Sequence, residues 1–250
     1  MKKGVVLGVF LFLFACSEES GLPPQTSFPP SNPTTGLLTL EQKQFIAEFE
    51  YKVYGRETLS EGGLTAKLKG GIRIFLDGTF NQTFSENVSR ELDVLNTFMT
   101  DGTSLVLAET LEDADIHLFV GTLEELEVLW NDIFVIVQRN NFGGYASTNF
   151  DLNDLSISGG RIYMINQSTS LLIHEIGHIL GLGHSSAGFC QNNSNASLSF
   201  MCPAALRQTY SKFDSGIIRT LYHPDIPIGE PFETVEPIVR GLLQSEVIKL

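Results

Sequence analysis

Apolar residues at helical spacing first occur between Leu40 and Tyr54. Phe45, Ile46, Phe49 and Val53 share one side of a 3.6-residue turn and predict a helix. Gly70-Gly71 then opens Ile72-Arg73-Ile74-Phe75-Leu76, a strand stopped by Asp77-Gly78. Helical spacing returns over Ser85 to Met99, with Val88, Leu92, Leu95 and Phe98 as the stripe and Ser85 placed to cap. Leu105-Val106-Leu107 and Ile116 to Val120 read as strands, Thr122 to Trp130 as a short acidic helix, and Ile133 to Val137 as a strand of the buried type. Gly143-Gly144 introduces the roughly alternating Tyr145 to Phe150, and Gly159-Gly160 introduces Arg161 to Ile165. Leu171, Leu172, Ile173, Ile176, Ile179 and Leu180 make a helix apolar on most sides, hence buried, with Ser168, Thr169 or Ser170 to cap it. A last helix is expected from Val235 onward. Strand, helix, several strands, then helix argues the α+β class: a mixed sheet with helices packed on it. The 250 residues suffice for one enzyme-sized domain, or two small ones at most.

The N-terminus follows a different pattern. Lys2 and Lys3 precede the apolar run Val5 to Phe14, which ends at Ala15-Cys16, as in a secretory signal. That run is too short to span a bilayer in a mature protein. Leu13-Phe14-Ala15-Cys16 resembles a bacterial lipobox, which implies cleavage before Cys16 and a lipid anchor on its sulfur. The simpler reading is an ordinary signal peptide with an incidental cysteine. Ser17 to Asn32, with Pro23, Pro24, Pro29 and Pro30, cannot bury enough surface to fold and reads as a tether. Its Ser17-Glu18-Glu19-Ser20 resembles surface-export signals of Gram-negative lipoproteins. The expected division is a signal over 1–15, a tether over 16–36 and a folded domain over 37–250. The expected location is the outer membrane or cell surface of a Gram-negative bacterium, or else the medium.

Charge narrows the partners. There are 29 Asp and Glu against 16 Lys and Arg, which disfavours nucleic acid and any anionic surface. With Cys16 set aside, Cys190 and Cys202 stand twelve apart and lack metal or redox spacing. In an oxidising compartment they form a bridge or stay two free thiols.

The chemistry concentrates in Leu171 to His184, LLIHEIGHILGLGH. His174 and His178 are four apart, on one helical face, so their imidazoles can share an ion. Glu175 projects about 100° around from His174, where it can address a water without being a ligand. Gly181 can end the helix and turn the chain so that His184 returns to the same ion. Three neutral imidazoles leave one tetrahedral position open, as in a catalytic rather than a structural zinc site. A chance H-E-x-x-H in such a chain arises at roughly the 1% level, and the added glycine and histidine bring that to on the order of 10⁻⁵. Chance composition therefore does not account for it. His117 on a strand and His223 before Pro224 read as packed or solvated side chains.

This motif, H-E-x-x-H-x-x-G-x-x-H, resembles that of the metzincin zinc peptidases, and Ser185 after the last histidine points to their matrixin branch. The resemblance runs from about Ile72 to His223. Asp113-Ala114-Asp115-Ile116 is similar to the family's A-D-I strand, Gly143-Gly144-Tyr145-Ala146 to its substrate-binding edge strand, and Gly159-Gly160 to the turn before its last strand. Ser199-Phe200-Met201-Cys202-Pro203 resembles the methionine turn, and Phe213 to Tyr222 the closing helix. The resemblance implies a zincin-like twisted mixed sheet, one catalytic Zn2+ on His174, His178 and His184, and Glu175 as general base. The implied activity is endoproteolysis of extracellular or host proteins, with a peptide bound along Gly144 to Phe150. Some positions depart. Ser147 replaces the histidine of the second zinc site, and Arg161 replaces an aspartate that helps bind calcium, so neither structural ion is expected. No cysteine-switch segment is seen upstream, and Ala204 and Ala205 stand where the tyrosine of the specificity pocket would follow. Two rival expectations are a surface-anchored binding lipoprotein that keeps the zinc scaffold without proteolysis, and a zinc hydrolase acting on a non-peptide bond.

Overall fold

The computed structural model describes residues 36–55, 63–191, 199–203 and 208–250. The expected signal, the anchor cysteine and nearly all of the tether lie outside the described residues, as do Ala204 and Ala205. Among the described residues no helix is long and apolar enough to cross a membrane.

The elements run α1 (Leu40–Tyr54), β1 (Gly71–Gly78), α2 (Gln82–Asn96), β2 (Ser104–Leu107), β3 (Ile116–Val120), α3 (Leu123–Leu129), α4 (Asn131–Asn140), β4 (Gly144–Phe150) and β5 (Ile157–Met164). They continue with α5 (Thr169–Ile179), α6 (Ala187–Gln191), α7 (Lys212–Leu221) and α8 (Phe232–Gln244). The five strands form one sheet in the order β2-β1-β3-β5-β4. β4 pairs antiparallel with β5; the other pairs are parallel. The class is therefore α+β with a mixed sheet, as the order of patterns implied.

Parallel strands need cover on both faces. The larger core joins α1, α2, α5, α7 and α8 to one side of the sheet through residues such as Phe45, Ile74, Leu118, Ile162 and Ile176. On the other side α3 and α4 bury Leu126, Trp130, Ile133 and Val137 against Phe119 and Tyr163.

Several boundaries differ from expectation. Ile133 to Val137 lies in α4, not in a strand. Ile133 and Val137, one turn apart, are buried, whereas Val135 and Ile136 face solvent. An apolar run this short carries no period of its own. α2 begins earlier than Ser85, at Gln82, because the Asn81 side chain accepts from Phe84 N at 2.8 Å and caps there. Gly159-Gly160 sits inside β5 rather than before it. A Cβ on Gly159 would overlap the Asp115 carbonyl oxygen, and one on Gly160 that of Ser147, so glycine here permits close approach of β3 and β4. α8 starts at Phe232, ahead of Val235.

Candidate metal centre

α5 is capped by Ser168, whose Oγ accepts from Leu171 N. Its leucines and isoleucines are buried, so the helix takes its polar residues into the core with them. It ends in a Schellman motif. Leu182 N donates to Gly177 O at 3.0 Å and Gly181 N to His178 O at 3.0 Å, with Gly181 at φ +95°. A side chain at Gly181 would be strained, which is why glycine stands at this exit. The turn returns the chain over α5 and brings His184 to the two helical histidines.

One ring nitrogen from each of His174, His178 and His184 lies within 4.8 Å of the others, close enough for a single cation to be shared. His174 Nδ1 donates to Phe200 O at 2.9 Å, and His178 Nδ1 to Leu182 O at 2.9 Å. A carbonyl can only accept, so both rings carry their proton on Nδ1 and present Nε2 as the free lone pair. Burial, followed by the two neighbouring imidazoles, pushes His178 down to about 3. Burial also lowers His174, against the Phe200 carbonyl. Both are neutral at pH 7, the form a metal ligand requires.

Glu175 is 4% exposed, and burial alone pushes its carboxyl up to about 8. A cation beside it would act in the opposite direction. A Cβ on Gly144 would stand 2.6 Å from Glu175 Oε1 and 2.8 Å from Leu171 Cδ1. Strand β4 thus lies directly against the carboxyl, and a side chain at position 144 would displace it.

Comparison with known protein families and with curated proteins gives no match for this chain.

β4 is an edge strand. Ile165 N donates to Gly143 O, which makes that pair the hydrogen-bonded one. By alternation Tyr145 and Ser147 bond to β5, while Gly144, Ala146 and Thr148 direct their N–H and C=O outward. An open backbone edge therefore begins beside Glu175.

Met201 is fully buried. A Cβ on Gly177 would overlap its Sδ and stand 2.6 Å from Phe200 Cε2. Residues 200 and 201 thus press against the turn of α5 between His174 and His178. Met201 O also accepts from Ser185 N at 3.0 Å, and a Cys190–Cys202 disulfide closes the same segment onto α6. The two cysteines are bridged, which settles the choice the spacing left open.

The other singled-out residues lie elsewhere. His117 Nε2 meets Asp77 Oδ2 at 2.9 Å, and its ring packs edge-on against Trp130. His223 Nδ1 accepts from Asp225 N. Arg161 grips both carboxylate oxygens of Asp132 and lies over the Trp130 ring, while Ser147 pairs with it across β4 and β5. The motif did not foretell the carbonyls of Phe200 and Leu182 that orient the rings. Main-chain acceptors carry no side-chain signature, although Leu182 follows directly from the glycine-closed turn.

Proposed function

We propose that the chain is a zinc-dependent endopeptidase of matrixin-like, metzincin type. The observation that carries this reading is the convergence of three imidazoles beside a buried carboxyl at the head of an open strand edge. The donor set fits the ion. Three nitrogen ligands, two of them held by carbonyls on the far ring nitrogen, suit Zn2+ and leave a coordination position for catalysis. When bound, the zinc lowers the pKa of a water and polarises a carbonyl. A structural zinc would need no carboxyl in this place, so Glu175 favours catalysis.

The protein's own groups supply the remainder. A peptide pairs as an added strand with the outward backbone of Gly144, Ala146 and Thr148, which recognises main chain rather than sequence. This sets a scissile carbonyl beside Glu175. The Glu175 carboxylate takes a proton from the attacking water and passes it to the leaving amine. Phe200 and Leu182 keep the Nδ1 protons in place, so His174 and His178 stay ligands throughout. Met201 and Phe200 support the helix from beneath, in the place of a methionine turn. Substrates are extracellular or host proteins, reached from a lipid anchor at Cys16.

The test is zinc stoichiometry together with casein and peptide-library cleavage, for wild type and Glu175→Gln. We expect one zinc in both proteins and cleavage in wild type only. Wild-type zinc protein that cleaves nothing, or a Glu175→Gln protein that cleaves at full rate, would defeat the proposal.

A further inference from the structure

In the sequence of α1, Glu48 and Lys52 look like an ordinary surface pair four residues apart. In the structure each is 1% exposed. Lys52 Nζ donates to Asp214 Oδ1 at 2.7 Å and to Ser199 Oγ at 2.8 Å, and lies 3.7 Å from Glu48 Oε1. Asp214, itself fully buried, also accepts from Ser199 Oγ, Ser211 N, Ser211 Oγ and Phe200 N. Glu48 accepts from Ser186 Oγ at 2.7 Å and Ser186 N at 3.3 Å, and the Lys52 carbonyl accepts from Gly183 N at 2.7 Å.

These bonds have a common destination. Gly183 and Ser186 flank His184, the third histidine. Phe200 N is held by Asp214, and Phe200 O holds His174. Two of the three histidines thus depend on loops that α1 grips from below. Burying three charges is a poor way to gain stability, because well-packed apolar residues do as well or better. Directional bonds to two separate loops fix position instead.

We propose that Glu48 and Lys52 are positioning residues for the metal ligands, through Ser186 and Gly183 to His184 and through Asp214 and Phe200 to His174. This rests on the metal-binding part of the proposed function and not on proteolysis. Lys67 offers the control. It is another buried lysine, paired with Asp101 at 2.7 Å and touching neither loop.

The experiment compares full-length wild type with Glu48→Gln, Ser186→Ala, Lys52→Met and Lys67→Met. The readouts are Zn2+ affinity by chelator competition below the unfolding transition, the visible spectrum of the Co2+-loaded protein, and Tm. Glu48→Gln and Lys52→Met are expected to weaken Zn2+ binding about tenfold and to shift the Co2+ bands. Ser186→Ala is expected to weaken it less, and Lys67→Met to lower Tm with affinity within about twofold of wild type. If Lys52→Met does not fold, Glu48→Gln and Ser186→Ala decide. Unchanged affinity and spectra in those two would overturn the proposal and leave a network that only supports the fold. Metal retention is read separately from cleavage, so a wild type that holds Zn2+ and cleaves nothing sinks the peptidase reading alone.

Discussion

The two faces of the sheet are built by opposite means. On the α5 face, ionisable groups are buried and held by short directional bonds: His174 and His178 to carbonyls, Lys52 to Asp214, Glu48 to Ser186. On the α3–α4 face a small aromatic core does the holding, and its charges sit at the rim. Arg161 is partly exposed, Asp132 largely so, and Trp130 lies beneath the guanidinium. The first construction fixes angles and hydrogen positions. The second contributes area removed from water, and an exposed ion pair adds at most about 1 kcal/mol.

The largest contrast should come from deleting one ring on each face. His178→Ala removes a convergent nitrogen, and the expected outcome is loss of bound zinc with cleavage at background. Trp130→Ala empties the smaller core and should cost about 3–5 kcal/mol of stability. Below its lowered Tm it should still carry one zinc. Metal analysis and thermal unfolding on both proteins separate the roles. A Trp130→Ala protein that is folded but metal-free would couple the faces.

A smaller effect is expected at Gly144, where the α5 face meets the open edge. An added Cβ stands 2.6 Å from Glu175 Oε1, the mobile end of a side chain, so the carboxyl can yield at little cost to the fold. Displacing a catalytic group by about 1 Å can cost about 10²-fold in rate. Gly144→Ala should therefore lose about that much kcat/KM while keeping its zinc and, nearly, its Tm.

Gly177→Ala tests the same helix from below. Its Cβ meets Met201 and Phe200, both fully buried, and overpacking of this kind costs about 1–3 kcal/mol. Alanine returns about 1 kcal/mol in helix propensity. The net loss, read by denaturant unfolding, should be about 2 kcal/mol or less, with weaker zinc binding because Phe200 O moves.

The same division explains what could be read from the chain. The histidine group was legible because its members are local. Spacing along one helix and a glycine exit place all three within eleven positions. The α+β class followed from the order of patterns. Ile133 to Val137 was misread because periodicity over five residues does not separate a strand from a helix packed on one side. Gly159-Gly160 was misread as a turn because the reason for glycine lies on the neighbouring strands. Glu48, Lys52 and Asp214 gave no signal: their partners are more than a hundred residues apart in several cases, and each alone passes for a surface charge.

The smallest expected effect concerns Glu91, an acid of α2 on the α5 side. It is 8% exposed, and burial raises its pKa, opposed by Arg90 and by a long bond from the Tyr210 hydroxyl. A carboxyl whose pKa is higher folded than unfolded binds more protons in the folded state. Its ionisation therefore costs stability, a cost absent below the unfolded value of about 4.5 and incurred as pH rises through the folded one. Glu91→Gln removes that cost. Its Tm should equal that of wild type near pH 4 and exceed it at pH 8, measured with saturating zinc so that the metal site contributes equally. A gap that is constant with pH would mean that Glu91 matters for its shape and its bond to Tyr210. A gap that opens with pH would show that the ionised Glu91 carboxylate itself costs stability at this position of the α5 face.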